Sequence, residues 1–102
     1  MSSKSSSRQQ WQFVTNHTQV LLCIARDADV RLRDIADSVG ITVGSAQRIV
    51  ADLIEAGFVE RTREGRRNRY TVKRGTPMLR HAAQNGQEIG GLLRLLEHDE
   101  TE

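Results

Sequence analysis

The sequence predicts an α+β domain that is mainly helical: three short amphipathic helices, then a β-hairpin, then a C-terminal helix. Apolar residues recur at the i, i+3, i+4, i+7 spacing of a buried helix face in three successive segments before Gly57. After Gly57 the period changes, and two short runs typical of strands flank a turn at residues 64–67. Helices followed by a hairpin therefore form the expected architecture.

The length and composition of the chain limit its class. Its 102 residues suffice for one domain, so we expect neither an ordinary multi-domain enzyme nor a regulator with a separate ligand-binding domain. There is no apolar run of about 20 residues that could span a membrane, and the polar N-terminus does not resemble a signal peptide. The single cysteine excludes an intramolecular disulfide. We therefore expect a reduced, cytoplasmic protein without a membrane partner.

Composition divides the chain into three parts. Residues 1–10 are Ser-rich and polar, which predicts a disordered tail that is either native or tag-derived. Residues 11–76 contain the three helices and the hairpin. Residues 77–102 follow a break at Gly75-Thr76-Pro77 and form a helical segment with an acidic tail. We expect this last segment to be a dimerisation element.

Each of the three helices has recognisable ends. Asn16 is the predicted N-cap of the first helix, with Gln19 three residues further on. The second helix is expected over residues 32–39, because Gly40 favours the left-handed conformation that ends a helix. Thr42 is the predicted N-cap of the third helix, which Gly57 ends. The buried stripe of this third helix consists of Ala46, Ile49, Val50 and Leu53.

The connection between the second and third helices is short. Only Gly40-Ile41-Thr42 joins them, so the helices must cross steeply, as in a helix-turn-helix unit. An ordinary helical hairpin would share this pattern. The β-hairpin directly after the third helix favours a winged helix-turn-helix, with Tyr70 as a packing residue at the root of the wing.

Basic side chains are concentrated in the hairpin. Residues 61–74 contain seven basic and one acidic side chain, for a net charge of +6 in a chain whose total is +2. Such a cluster repels itself unless a polyanion or an acidic partner faces it. A solvated charged hairpin is the alternative interpretation. Six of the seven are arginines, whose planar guanidinium groups suit phosphate oxygens and guanine edges.

These features predict binding to double-stranded DNA, with the third helix in the major groove and the hairpin on the backbone or minor groove. Arg48 suits guanine and Gln47 suits adenine, whereas hydroxyl groups at the helix start suit phosphate. The candidate contacts on the third helix are Thr42, Val43, Gly44, Ser45, Gln47 and Arg48. Those on the wing are Arg63, Arg66, Arg67, Asn68 and Arg69.

Residues 40–59 resemble the recognition region of MarR/ArsR-like winged-helix transcriptional regulators, and the likeness extends over about residues 11–96. The chain is similar to small one-domain bacterial regulators of this type in its first two helices, in the wing sequence Gly65-Arg66-Arg67-Asn68-Arg69-Tyr70 and in its C-terminal elements. The resemblance implies DNA binding, usually as a homodimer. Val43-Gly44 departs from the pattern, because charged or polar residues, often Glu-Arg, are expected there. This departure removes a possible groove contact and lets the backbone approach DNA at Gly44.

Two apolar clusters are candidates for the dimer interface. Trp11 and Phe13 lie close together before the first helix, and the last helix carries an apolar stripe. A terminal helix joined past Gly75 and Pro77 must dock somewhere, and we favour a second copy of the chain over packing within one chain. The expected dimer residues are Trp11, Phe13, Ile89, Leu92, Leu93 and Leu96.

Other chemistry finds little support in the sequence. Cys23 lies in an apolar helix and is expected to be structural, and the three histidines lack paired ligand spacing. We expect no catalytic residue, no metal and no cofactor, and the sequence identifies no effector ligand. Two other binding classes remain open. A winged helix also serves as a protein-interaction module, and RNA binding is possible although the basic surface lacks exposed aromatic residues.

Overall fold

The computed structural model describes residues 14–78 and 87–97. In these residues the elements follow in the order α1 (Asn16–Arg26), α2 (Leu32–Val39), α3 (Val43–Glu55), β1 (Val59–Glu64), β2 (Arg67–Val72) and α4 (Ile89–Glu97). The predicted mainly helical α+β fold, three helices with a hairpin wing and a C-terminal helix, is confirmed. The predicted N-terminal tail, Trp11, Phe13 and the acidic tail beyond Glu97 lie outside the described residues.

The hydrophobic core is built from one face of each element. α1, α2 and α3 pack against one another, and β2 and α4 both contact α1 and complete the core. The predicted stripe of α3 is confirmed, because all four of its residues are buried. The largest fully buried side chains are Leu21, Ile24, Ile35, Leu93 and Val20. Burial of these apolar groups is the main force that holds the helices at their crossing angles.

The start of α1 differs from the prediction by one residue. Thr15, rather than Asn16, is the N-cap: its backbone is extended and its side chain accepts a hydrogen bond from the Thr18 amide at 3.4 Å. Asn16 is already helical. Both residue types cap helices well, so the sequence pattern does not separate two adjacent candidates. With Thr15 as the cap, Gln19 lies one position too far along for a capping box.

The turn between α2 and α3 is formed as predicted. Gly40 has φ +84° and ψ +36°, the left-handed conformation that side-chain-bearing residues rarely adopt. Its amide and that of Ile41 both donate to the Ala36 carbonyl, at 2.8 and 3.0 Å. Thr42 then caps α3, and its Oγ1 accepts from the Ser45 amide at 3.0 Å. The start of the helix expected to enter DNA is therefore held in one geometry.

The hairpin is longer than predicted. β1 continues to Glu64 and β2 begins at Arg67, so that the turn contains only Gly65 and Arg66, with φ +67° at Gly65. Directly opposed pairs run from Val59 and Val72 at the root to Glu64 and Arg67 at the tip. Tyr70 is 4% exposed, which confirms its predicted role in packing the root of the wing.

The C-terminal helix packs on its own chain. The Ile89 amide donates to the Thr76 carbonyl at 2.8 Å, and the Gly90 amide donates to the Arg74 carbonyl at 2.9 Å. Ile89 and Leu93, which the sequence assigned to a dimer contact, are 7% and 0% exposed and belong to the core of this chain. The dimer assignment of Ile89 and Leu93 is therefore corrected, because both side chains are already buried within their own chain. In the described residues no helix is long and apolar enough to cross a membrane.

Gly90→Ala is expected to lower the free energy of unfolding by about 1–3 kcal/mol, the usual cost of overpacking. A Cβ at Gly90 would lie 2.9 Å from the Arg74 Cβ and 3.0 Å from its carbonyl oxygen, so α4 would have to shift. Gly91→Ala is the matched control, because a Cβ there meets nothing within 4 Å. It should stabilise the helix by about 0.5–1 kcal/mol. Urea unfolding of both variants tests this, and equal stabilities would contradict the close approach of α4 to Arg74.

Candidate nucleic-acid interface

The outward face of α3 presents the residues that the sequence predicted as DNA contacts. All six candidates on this helix and its cap are exposed: Thr42, Val43, Gly44, Ser45, Gln47 and Arg48. The opposite face is fixed in the core by Ala46, Ile49, Val50 and Leu53. α3 therefore holds these side chains on a rigid support. An α-helix of this kind fits the major groove of B-DNA, which is about 12 Å wide.

The hydroxyl groups at the start of α3 are partly used within the protein. Thr42 Oγ1 accepts from the Ser45 amide and donates to Ser45 Oγ, with both distances 3.0 Å. The hydroxyl proton of Ser45 remains available to an external acceptor. Among these two side chains, Ser45 is therefore the better placed to donate to a phosphate oxygen, while Thr42 fixes its position.

Gln47 and Arg48 are available for base contacts. Both are exposed, and neither side chain has a hydrogen-bond partner or ion pair within residues 14–78 and 87–97. A guanidinium group and an amide with free donors match the edges of guanine and adenine, respectively. Asp52, one turn further along α3, is different, because its Oδ2 accepts a hydrogen bond from His17 Nε2 at 3.0 Å. This pair joins the start of α1 to α3.

The tip of the wing is strongly basic and exposed. Arg63, Arg66 and Arg67 are all exposed, and Asn68 is half-buried. Arg63 Nε lies 3.5 Å from the Gly65 carbonyl, which it approaches across the turn. The Arg66 side chain has no hydrogen-bond partner in the described part of the chain. These guanidinium groups project from a narrow hairpin into solvent, where a polyanion can reach them.

Asp29 holds the wing against the loop between α1 and α2. Its carboxylate accepts two hydrogen bonds from Arg69 Nη1, at 3.0 and 3.2 Å, and its carbonyl accepts one from Arg67 Nη2 at 3.4 Å. Next to it, the Tyr70 amide donates to the Ala28 carbonyl at 2.9 Å. Arg69, a predicted DNA contact, is therefore a tether of the hairpin in this structure. No local sequence pattern identifies Asp29 as a partner of the wing, because Arg67 and Arg69 lie 38 and 40 residues further along the chain.

A recess of about 310 Å³ separates the wing from the start of α2. Three arginines line it, Arg31 from the α2 cap position and Arg66 and Arg67 from the hairpin. Asp29, whose carboxylate pairs with Arg69, lines it as well. The first turn of α2 has no side-chain cap, so its amide groups remain available, although the Asp34 carboxylate lies in the same turn. Amide groups at a helix start and several guanidinium groups are the donors that phosphate oxygens favour.

The described residues offer little for other chemistry. They contain no group of three His, Cys, Asp or Glu side chains placed to hold a metal ion. Cys23 is half-buried, and burial raises the pKa of its thiol above the ordinary value, while a hydrogen bond with Ser38 and the charge of Arg26 act less strongly in the opposite direction. A thiol with a raised pKa is a weak nucleophile at neutral pH. That Cys23 has a structural role stays a prediction.

Comparison with known proteins gives one positive finding. A family model described as the MarR family matches residues 14–69, which is more than half of the chain and includes α1, α2, α3, β1 and the turn of the wing. No curated protein matches the chain. The matched segment contains all six candidate residues of α3 and its cap and all five of the wing.

Proposed function

This chain belongs to the MarR family and is a DNA-binding transcriptional regulator, and from this premise we propose that it recognises a specific double-stranded DNA sequence. In this proposal α3 enters the major groove, and the wing contacts the backbone or the adjacent minor groove. The family is one of regulators, so we propose no enzymatic activity.

The observation that carries this proposal is the exposed arginine group at the tip of the wing. Residues 61–74 have a net charge of +6. Arg69 and Arg74 pair with Asp29 and Glu97, whereas the Arg66 guanidinium has no partner in the described part of the chain. Holding such charge together on a narrow hairpin is unfavourable in the free protein and becomes favourable against phosphates. The recess that Arg66 and Arg67 share with the start of α2 supplies further donors for a phosphate.

Base recognition is assigned to Gln47 and Arg48. They lie on the exposed face of α3 with free donors, next to a helix start that is fixed by the Thr42 cap. A rigid support favours recognition, because little backbone freedom is lost on binding. Wing and cap contacts to phosphate would set the register, and the two α3 side chains would read the sequence.

We propose that the regulator is a homodimer joined through the exposed edge of α4. Leu92 and Leu96 are half-buried, and Leu95 is 70% exposed, so an apolar surface remains after Ile89 and Leu93 have entered the core. Leu95 was not among the residues predicted from the sequence, because it lies outside the i, i+3, i+4 stripe that faces the core. In such a homodimer we expect the two α3 helices to contact half-sites about 34 Å apart on one face of a near-palindromic duplex.

Selection of bound duplexes from a random pool tests the proposal. We expect a near-palindromic sequence to be enriched, with two half-sites about one helical turn apart. If the protein binds no duplex at low salt, the proposal fails, and a protein-interaction module becomes the favoured alternative. An RNA-binding role would appear instead as preference for single-stranded or hairpin RNA over every duplex.

Arg48→Ala is expected to relax base preference at one position in each half-site. A bidentate arginine–guanine contact accounts for about 1–3 kcal/mol of discrimination against the wrong base. Binding of the selected operator and of all its single-base variants, measured by competition, gives the preference at each position. Arg33→Ala is the charge-matched control, because Arg33 is exposed on α2. The Arg33→Ala variant should have the same base preferences as the wild type. An unchanged profile in Arg48→Ala would rule out base reading by Arg48.

A further inference from the structure

Val43 is an apolar side chain on an otherwise polar recognition surface. It is 46% exposed, and in the described part of the chain only Val43 and Leu95 are large apolar side chains with such exposure. Leu95 is accounted for by the proposed dimer contact on α4. Val43 lies on a different element, at the first residue of α3, and contributes nothing comparable to the core. Its exposed methyl groups therefore suggest an apolar feature in the ligand.

The position of Val43 is well fixed. Thr42 Oγ1 accepts a hydrogen bond from the Ser45 amide and donates one to the Ser45 hydroxyl group. The first turn of α3, which contains Val43, is therefore held by two 3.0 Å hydrogen bonds. A β-branched side chain in a helix has one strongly preferred χ1 rotamer, so the two methyl groups also have a defined direction. Little conformational entropy is lost when such a group is buried.

The surroundings of Val43 allow close approach to a base edge. Gly44 follows it without a side chain, and the nearest atom to a Cβ built there is Thr42 Oγ1 at 3.9 Å. Gln47 lies one helical turn further on, at i+4, and therefore on the same face of α3. The surface thus combines an amide that suits adenine with an apolar group beside it.

The major groove offers one apolar feature, the 5-methyl group of thymine. Resting on the proposed function, we propose that Val43 is a specificity-determining residue that packs against a thymine methyl group. One turn of α-helix rises about 5.4 Å, and successive base pairs are about 3.4 Å apart. With α3 lying along the groove, the thymine would be one or two base pairs from the base that Gln47 contacts. Charged or polar residues are expected at the position of Val43-Gly44. The apolar pair found there would instead favour A·T base pairs at this part of the site.

Deoxyuridine substitution tests this contact, because it removes the methyl group and leaves every hydrogen-bonding group of the base in place. Each thymine of the selected operator is replaced in turn, and affinity is measured by anisotropy competition. We expect one position in each half-site at which the wild type binds about 4-fold more weakly, the effect of one buried methyl group. Val43→Ala should show a clearly smaller difference between the thymine and deoxyuridine operators at that position, because it lacks both γ-methyl groups.

Gln47→Ala is the matched control from the same face of α3. It should lose base preference at the neighbouring position and retain the response to deoxyuridine. Sequence-specific binding without any sensitive thymine, or Val43→Ala with the full wild-type sensitivity, would overturn the role of Val43 and leave the proposed function intact. Failure to select any operator would overturn both. Circular dichroism confirms folding, which is expected to persist because Val43 is outside the core.

Discussion

Leu95→Glu is expected to give a folded monomer whose affinity for a palindromic operator is about 10²- to 10⁴-fold lower than that of the wild type. The charge would lie within the proposed two-fold contact, where an unpaired carboxylate must lose its hydration. Because Leu95 is 70% exposed in the single chain, the substitution should leave the core unchanged. The affinity falls because two separate monomers must then bind the two half-sites, without the gain that comes from linking them in a dimer.

Sedimentation velocity and operator titration on the same samples measure this effect. A duplex that contains one half-site is the control, and monomeric Leu95→Glu should bind it as tightly as one protomer of the wild type. Leu93→Glu serves as a contrast on the same helix, because Leu93 is fully buried and a charge there should unfold the domain. A Leu95→Glu protein that still sediments as a dimer would rule out α4 as the contact.

Replacing Arg66 and Arg67 together by alanine is expected to weaken binding to all DNA sequences, on the order of 10²-fold at low salt. Each lost phosphate contact reduces the slope of log K against log salt by about 0.9, so four arginines in a dimer account for a decrease of up to about 3.6. Relative preferences among operator variants should stay unchanged, since these side chains are assigned to phosphate and not to bases.

The charge-conserving pair Arg66→Lys and Arg67→Lys is the control for the wing. It should retain most of the salt dependence, because lysine also neutralises phosphate, and lose only the part of the affinity that depends on the guanidinium fork. Anisotropy titrations between about 50 and 200 mM salt give both slopes. If the alanine variant retains the wild-type slope, the wing is not a phosphate contact.

Local patterns in the sequence were sufficient to predict the arrangement of elements. The spacing of Ala46, Ile49, Val50 and Leu53 defined the buried face of α3, and Gly40 ended α2 in the conformation that its missing side chain allows. These features depend on neighbours within a few residues. The exposed candidates on α3 follow directly, because the face opposite a buried stripe must point outward.

Contacts between distant segments were not predictable in this way. Asp29 lies 40 residues from Arg69, and His17 lies 35 residues from Asp52, so no periodicity connects either pair. Arg69 was therefore assigned to DNA although the fold gives it a carboxylate partner. The burial of Ile89 and Leu93 likewise depends on how α4 meets α1, which an apolar stripe alone does not determine.

The most direct test of the account is the salt dependence of binding to duplex DNA of random sequence, with sedimentation of the same sample. We expect a dimer that binds at about 50 mM salt and weakens linearly in log K against log salt up to about 200 mM, with the slope reduced in the Arg66 and Arg67 alanine variant. Absence of binding at the lowest salt, or binding that does not respond to salt, would contradict recognition through the basic wing.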